Sequence, residues 1–289
     1  MTYLLLTLTV LTLTAQDVFK KKYNQKGKDF TFLFTAVVAV FAMLLFVGIN
    51  LIQGDYHYSA ILLIPSVGFA ISYAAATFFT VQAIRCGSLA KTCLIVSFSL
   101  LIPCFYGLLL LSEPVSPTLI AGMALLIVSL ILINYEKKKT AEKASAKWYL
   151  YALLASLGNG LCSTVQKAKQ VYLGDEGNNL FMIVALGMVA AIMLILSGCT
   201  KGERIKERGD LRHVALWAML CGVANGLTNL LVILLNSRQV PASVIFPVIS
   251  SGSLVLSFLY SILIIREKFT ARQYVGFLAG AISVILLNL

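Results

Sequence analysis

The stretch Leu108-Leu-Leu-Leu-Ser-Glu-Pro-Val-Ser-Pro-Thr-Leu-Ile-Ala-Gly-Met123 has a counterpart 154 residues later, Ile262-Leu-Ile-Ile-Arg-Glu-Lys-Phe-Thr-Ala-Arg-Gln-Tyr-Val-Gly-Phe277. Both copies are embedded in long apolar runs. In this region, five of the identical pairs at this offset are polar residues or glycines. They are Tyr106 with Tyr260, Glu113 with Glu267, Gly122 with Gly276, Ser129 with Ser283 and Asn134 with Asn288. The repeat predicts that the chain consists of two halves built on one plan.

The composition is that of a membrane protein. Hydrophobic residues make up 59% of the chain, charged residues 12%, and the mean hydropathy is +0.90, far from ordinary globular usage. A helix needs about 20 largely apolar residues to cross the hydrocarbon layer. Ten such stretches run from 2 to 19, 30 to 50, 59 to 84, 89 to 111, 115 to 135, 147 to 172, 178 to 198, 211 to 236, 240 to 264 and 270 to 288.

These stretches predict helices rather than strands. Unpaired backbone groups are costly in lipid, and the apolar runs are too long for alternating strands. Few residues remain between the stretches, so a soluble domain is excluded. The first stretch is interpreted as a retained helix rather than a signal peptide, because its lysines follow the apolar residues instead of preceding them. We therefore predict an all-α integral membrane protein with ten transmembrane helices.

Basic residues are concentrated in every second connection. Of 23 lysines and arginines, 20 lie in the odd-numbered connections or at their edges, and Lys20 is counted in the first of these. Lys167, Lys169 and Arg238 belong to the even side. The positive-inside rule then places the odd connections in the cytoplasm and both termini outside it. The net charge of +11 is interpreted as a topology signal and not as nucleic-acid binding, because the charges are dispersed over five short loops without interleaved aromatics.

Five predicted helices per half is an odd number, so the second half must cross the membrane in the opposite sense to the first. We expect residues 1–135 and 147–289 to form two inverted five-helix repeats, joined by a basic cytoplasmic linker at 136–146. Inverted repeats are typical of secondary transporters, whose two halves exchange conformations around a central site. A duplication that serves stability alone is the alternative.

Polar residues recur at helical spacing in the first, third, sixth, eighth and ninth stretches, whereas the second, fifth, seventh and tenth contain few. Polar side chains in lipid turn toward neighbouring helices or water, so these stripes predict a shared central pocket. The alternative is that these side chains only form hydrogen bonds between helices. That explanation suits Asn159, Asn225 and Asn229 less well. The candidate substrate-binding residues are Thr12, Gln16, Tyr73, Thr77, Asn159, Ser163, Gln166, Asn225, Thr228, Asn229 and Ser250.

Small residues occupy one face of the fifth and tenth stretches, including Gly122 and Ser129 in one and Gly276 and Gly280 in the other. Small residues allow close backbone approach between membrane helices. These faces predict packing seams, either within a protomer or between two, so both a monomer and a homodimer are compatible with them. Pro103 lies inside the fourth stretch, where its missing amide can kink a helix and free a carbonyl group.

Residues for catalysis or cofactor binding do not cluster in the sequence. His57 and His213 are far apart, the six cysteines form no paired motif, and no phosphate-binding glycine loop of the P-loop kind occurs. We therefore expect no metal, no cofactor, no catalytic residue and no ATP hydrolysis. A membrane enzyme is the third class of function, weakened by the lack of a clustered acid, base or nucleophile in the spans.

Each half ends in a glutamate, a glycine nine positions later and a serine seven positions after that. With its ten predicted helices in two halves, the chain resembles the EamA-like branch of the drug/metabolite transporter superfamily over essentially its whole length. The resemblance implies alternating-access movement of a small organic molecule through a cavity lined by the first, third, fourth, sixth, eighth and ninth helices. Val18-Phe19-Lys20 and Val165-Gln166-Lys167 also resemble the family's first-helix ending, which places Lys20 and Lys167 in corresponding positions.

One departure from related proteins concerns the first helix. In the small multidrug resistance proteins a membrane-embedded glutamate there binds protons and cationic drugs, whereas this chain has threonines such as Thr12 and Thr14. Asp17 lies about a turn from three lysines, and we interpret it as a neutralised interfacial residue rather than a coupling site. Glu113 and Glu267 are interpreted as capping or ion-pairing residues at helix ends. The pocket is then expected to contain no deep charge.

A pocket of amides, hydroxyls and a few aromatics suits a small neutral or zwitterionic metabolite, such as an amino acid or a nucleobase-like compound. We predict a secondary active transporter for such a molecule in the plasma membrane, with proton coupling left open. A multidrug or cation exporter of the same superfamily is one alternative, and a membrane-embedded binding or regulatory protein that does not transport is another. Asn159→Ala or Asn225→Ala is expected to abolish substrate-dependent stabilisation.

Overall fold

Ten helical segments follow one another in the computed structural model, which describes residues 2–25, 29–54, 59–112, 116–134, 145–199, 208–266 and 269–287. The helices are α1 (Thr2–Asn24), α2 (Thr31–Gln53), α3 (Leu63–Cys86, preceded by a 3-10 turn at Ala60–Leu62), α4 (Leu89–Ser97 and Leu101–Leu110, joined by a 3-10 turn at Phe98–Leu100), α5 (Pro117–Asn134), α6 (Ala146–Leu173), α7 (Asn178–Cys199), α8 (Arg208–Ser237), α9 (Ala242–Tyr260, continued by a π turn at Ser261–Ile265) and α10 (Ala271–Leu287).

The prediction of an all-α membrane protein is confirmed. Within the described ranges no strand occurs, and seven helices, α1 to α4 and α7 to α9, are long and apolar enough to cross a membrane. In α5 the apolar core is shorter and spans Ile120–Ser129. The crossing of the membrane by α5, α6 and α10, and with it the total of ten crossings, stays a prediction.

The helices pack mainly across the two halves of the chain. Close pairs are α1 with α8, α3 with α6, α2 with α7, and α5 with α10. Exchange of the first five helices for the last five maps the α1–α8 pair onto the α6–α3 pair and each of the other two pairs onto itself. A two-fold relation between the halves requires this pattern, and the inverted repeat remains a prediction that the pattern supports.

Glycines permit the closest helix crossings. A Cβ atom built at Gly222 of α8 would lie 2.6 Å from the Val38 carbonyl oxygen of α2, and one built at Gly158 of α6 would lie 2.8 Å from the Ser72 carbonyl oxygen of α3. Real Cβ atoms do not approach a carbonyl oxygen so closely, so these positions exclude any larger residue without a shift of the backbone. The crossings bring the polar faces of α3, α6 and α8 toward the same interior.

The α5–α10 seam lies within the protomer. The Ser129 hydroxyl of α5 donates to the Gly276 carbonyl oxygen of α10, and a Cβ at Gly280 would meet the Ser129 oxygen at 2.9 Å. The small residues of these two stretches therefore pack against each other. Glu113, Glu267, Asn288 and most of the 136–146 linker lie outside the described residues.

The core around the crossing of α2, α3 and α7 is made of large apolar side chains. Phe46, Phe69, Phe181 and Met182 are completely or almost completely buried there. The Phe69 and Phe181 rings meet edge to face with centroids 5.6 Å apart. This cluster packs behind the inward-facing residues of α3 and supports their position.

Gly222→Ala tests the α2–α8 crossing. The added methyl group meets backbone atoms of α2, and overpacking of this kind costs about 1–3 kcal/mol, so we expect a lower thermal midpoint for the purified protein. Gly48→Ala in α2 is the matched control, because a Cβ there meets no atom within 4 Å. Equal thermal midpoints for the two variants would contradict the crossing described here.

Candidate functional site

A cavity of about 130 Å³ lies between six helices. Its walls come from α1, α3 and α4 of the first half and from α6, α8 and α9 of the second. These are the six helices that the family resemblance implies, and they include α4, which carried no recognisable polar stripe. The polar stripes of the other five helices therefore face one shared space, as the sequence predicts.

Ten of the eleven predicted site residues line this cavity. They are Gln16, Tyr73, Thr77, Asn159, Ser163, Gln166, Asn225, Thr228, Asn229 and Ser250. The eleventh, Thr12, lies just behind the wall, where its hydroxyl oxygen accepts a hydrogen bond from Thr228 at 2.8 Å. Their position in the cavity wall does not by itself show binding, so substrate binding by these residues stays a prediction.

Side-chain amides of α1 and α8 form a hydrogen-bonded chain across the cavity wall. Asn229 Nδ2 donates to Asn225 Oδ1 at 2.9 Å, Asn225 Nδ2 donates to Gln16 Oε1 at 2.8 Å, and Gln16 Nε2 donates to Thr228 Oγ1 at 2.8 Å. Gln166 of α6 extends the chain through a 3.3 Å bond to the Asn229 backbone carbonyl. The amides thus hold α1, α6 and α8 together besides presenting polar atoms to the cavity.

Asn159 is positioned by a break in α4. Pro103 has no amide hydrogen, so the Ser99 carbonyl oxygen one turn earlier lacks its helical donor, and α4 is interrupted by a 3-10 turn at Phe98–Leu100. A Cβ at Gly160 would lie 2.7 Å from that carbonyl oxygen, so only glycine allows α6 to approach. Asn159 Nδ2 then donates to the Ser99 hydroxyl at 2.8 Å. This contact ties the second half of the chain to α4.

Aromatic side chains form one part of the wall. The Tyr73 ring stacks on Phe69 with centroids 5.8 Å apart, and Phe246 lies on α9. The Tyr73 hydroxyl is itself buried, so these side chains present mainly an apolar surface to the cavity.

The expectation of a pocket without deep charge is wrong. Asp17 and Lys20 both line the cavity and are buried, with 8% and 7% of their surfaces exposed. The Lys20 Nζ lies 3.1 Å from Asp17 Oδ1, and the Cys93 thiol of α4 donates to Asp17 Oδ2 at 3.3 Å. Lys20 therefore belongs to the cavity wall rather than to the first basic connection, and Asp17 is buried beside it. The reason is that α1 continues to Asn24, more than a turn beyond its predicted end.

The second half has no counterpart of this ion pair. At the spacing that aligns Lys20 with Lys167, Asp17 corresponds to Thr164. The Thr164 hydroxyl bonds to the Gly160 carbonyl of its own helix, and Lys167 Nζ donates to the Val240 carbonyl oxygen, just before α9, at 2.9 Å. The charged pair thus makes the cavity asymmetric between two otherwise similar halves.

Sequence reasoning also missed the contribution of α4, which consists of Cys93, Val96 and Ser97. The weak signal was the spacing of Cys93 and Ser97, four residues apart on one helical face. Within the described ranges no three His, Cys, Asp or Glu side chains are grouped as a metal site would need, and none of the six cysteines forms a disulfide.

Comparisons with known proteins place this geometry in context. The model of the EamA-like transporter family matches residues 146–289. A solved structure described only as the crystal structure of a protein superposes with a TM-score of 0.73 over 99% of this chain and 95% of that chain, at 13% sequence identity. At that identity the likeness shows the fold alone. No curated protein matches the sequence.

Asn225→Ala tests the amide chain. Removal of the side chain leaves Gln16 Oε1 without its donor, while Asn229 Nδ2 keeps its bond to the Asn225 backbone carbonyl, and we expect the loss to cost about 1–2 kcal/mol in the free energy of unfolding. Ser163→Ala is the control, because the Ser163 hydroxyl bonds only to the Asn159 carbonyl of its own helix. Denaturant titration of both purified variants measures the difference, and equal stabilities would refute a role for the chain in holding α1 to α8.

Proposed function

We propose a substrate class and a mode of transport for this chain. The chain belongs to the EamA-like transporter family and is therefore an integral, multi-pass membrane transporter. The proposed activity is secondary active transport of a small neutral or zwitterionic organic metabolite by alternating access. The observation that carries the proposal is the cavity at the junction of the halves. Each half contributes three helices in corresponding positions, so equivalent movements of the halves would open the cavity to one side and then to the other.

The size of the cavity favours a small substrate. The volume of 130 Å³ is the space open to the centre of a water molecule. A cavity needs roughly 10–15 Å³ to hold a single water molecule, so this one has room for several. A single amino acid or a nucleobase matches this room, whereas a large polycyclic drug does not fit this conformation.

The chemistry of the wall favours a substrate without net charge. Amide and hydroxyl groups such as Asn159, Ser163 and Thr77 supply donors and acceptors, and the Asp17–Lys20 pair adds two charges that cancel. A neutral or zwitterionic molecule enters such a site without leaving a net charge buried in the membrane.

A cation exporter is the second candidate, and the Asp17 carboxylate in the cavity wall is the observation that favours it. Lys20, 3.1 Å away, already neutralises that carboxylate, which argues for the first candidate. Proton coupling belongs to the same question, because a carboxylate in the cavity is a group that could carry a proton.

The proposed location is the plasma membrane, with both termini outside the cytoplasm. The distribution of basic residues supports this orientation. Lys20 leaves the count of the first connection, but Lys21, Lys22, Lys26 and Lys28 remain there. The first connection therefore stays strongly basic, and the asymmetry between odd and even connections persists.

Flux measurements in reconstituted vesicles test the proposal. Purified protein in proteoliposomes is loaded in turn with radiolabelled neutral amino acids, nucleobases and lipophilic cations, with and without a pH gradient. We expect uptake or release of a member of the first two classes. Binding without flux would identify a membrane-embedded binding protein, and flux of cations alone would favour the exporter.

Ser250→Phe tests whether substrate passes through this cavity. Ser250 lines the cavity from α9, and a phenyl ring there fills much of the space, so we expect flux to fall to the background of empty vesicles. Leu259→Phe is the control, because Leu259 is exposed on the outer surface of the same helix. Undiminished flux in Ser250→Phe vesicles with normal protein incorporation would place the route elsewhere.

A further inference from the structure

Lys20 differs from the other buried lysines in what its ammonium group contacts. Asp17 Oδ1, three residues earlier on α1, is its hydrogen-bond acceptor among the described residues. An ammonium group has three donors, so two of them have no acceptor among the described residues, and Lys20 lines the cavity. Since both residues belong to one helix, their ion pair joins no two helices.

Lys167 and Lys169 show the contrasting arrangement. Lys167 Nζ donates to the Val240 carbonyl oxygen, and Lys169 Nζ donates to the carbonyl oxygens of Gly174 and Glu176 and to Asn178 Oδ1. These ammonium groups fasten the turns that follow α6 and precede α9. Neither lysine lines the cavity. Their burial is explained by the scaffold, whereas the burial of Lys20 is not.

The carboxylate of the pair is held toward the cavity. The Cys93 thiol of α4 donates to Asp17 Oδ2 at 3.3 Å, while Lys20 contacts Oδ1. Charged groups within a membrane protein are costly to bury and commonly mark a binding site. An ion pair whose two members belong to one helix and line a cavity, and whose ammonium group has unused donors, fits that description.

We propose that Asp17 and Lys20 bind a zwitterionic substrate by exchanging their own ion pair for two pairs with the ligand. The Lys20 ammonium binds the ligand carboxylate, and the Asp17 carboxylate binds the ligand ammonium. An α-amino acid carries both groups on one carbon, so both reach a protein pair whose atoms are 3.1 Å apart. The site stays neutral throughout, which avoids an unpaired buried charge. This inference rests on the proposed function and narrows its substrate class to amino acids and compounds with the same two groups.

The rest of the wall suits the remainder of such a ligand. Phe69, Tyr73 and Phe246 offer an apolar surface for its side chain. A nucleobase has neither an ammonium nor a carboxylate group and would leave the pair intact.

Ligand-dependent thermal stabilisation of the purified protein tests the pair. The probes are the neutral L-amino acids, adenine, uracil, and two matched sets in which one charge is missing. The sets are leucine with 3-methylbutylamine and 4-methylpentanoate, and phenylalanine with 2-phenylethylamine and 3-phenylpropionate. We expect at least one amino acid to bind the wild-type protein, with the corresponding amine and acid weaker by at least about tenfold.

Single substitutions should change the charge requirement. In Asp17→Asn the unpaired Lys20 favours the acid of the matched set, and in Lys20→Gln the unpaired Asp17 favours the amine. The affinity for the zwitterion should fall by at least about tenfold in each variant. Lys167→Gln is the matched control for loss of a buried lysine, and we expect a lower thermal midpoint with an unchanged order of ligands.

If a single variant fails to fold, the double variant Asp17→Asn/Lys20→Gln provides the test instead, because it buries no net charge. It should lose the preference for the zwitterion over its singly charged analogues. An unchanged preference in this variant, or binding of uracil or adenine but of no amino acid to the wild type, would overturn the proposed ion-pair exchange. Vesicles that transport a nucleobase would then still support the proposed function, whereas vesicles that transport none of the probes would contradict it.

Discussion

Hydrocarbon provides no hydrogen-bond partners, and every polar group within a transmembrane span must find one in the protein or in enclosed water. Many hydroxyl groups meet this constraint within their own helix. Thr9 bonds to the Leu5 carbonyl, Thr80 to that of Ala76 and Ser97 to that of Cys93, each one turn earlier. In this cavity wall the amides of asparagine and glutamine bond mainly to other helices, and they therefore set where α1, α6 and α8 meet. The arrangement of the cavity follows from where those amides lie along the chain.

Close contact between helices is the second requirement of this arrangement. Gly158, Gly160 and Gly222 bring α6 and α8 within reach of backbone carbonyls on α3, α4 and α2. The closely packed helix pairs join opposite halves of the chain, in the pattern that the predicted repeat requires. Asp17 departs from this predicted symmetry. It adds a charge at the position where the second half has Thr164, whose hydroxyl bonds to its own helix. In the proposed function, the near-symmetric scaffold serves movement between two states, and the asymmetric pair of charges serves recognition of a ligand.

Most of the candidate site was predictable because helical periodicity is a local property. Polar residues three or four positions apart lie on one helical face whatever the rest of the protein does, so ten of eleven candidates reached the cavity wall. Two features were not predictable in this way. The cavity face of α4 is short and carries Val96 between Cys93 and Ser97, so no stripe was visible. Asp17 appeared interfacial because three lysines follow it, yet α1 continues past them to Asn24 and carries Asp17 and Lys20 inside.

The sequence by itself determined that the chain lies in a membrane, which segments are helical, and which helical faces turn away from lipid. These properties follow from hydropathy, length and periodicity, which depend only on neighbouring residues and the geometry of the α-helix. The tertiary structure decided which amide bonds to which, because Gln16 and Asn225 are 209 residues apart and their contact depends on how α1 and α8 cross. It also decided the volume of the cavity and the position of the Asp17–Lys20 pair in its wall. Those properties arise from the packing of six helices, and a local pattern contains no information about the angle or depth at which distant helices meet.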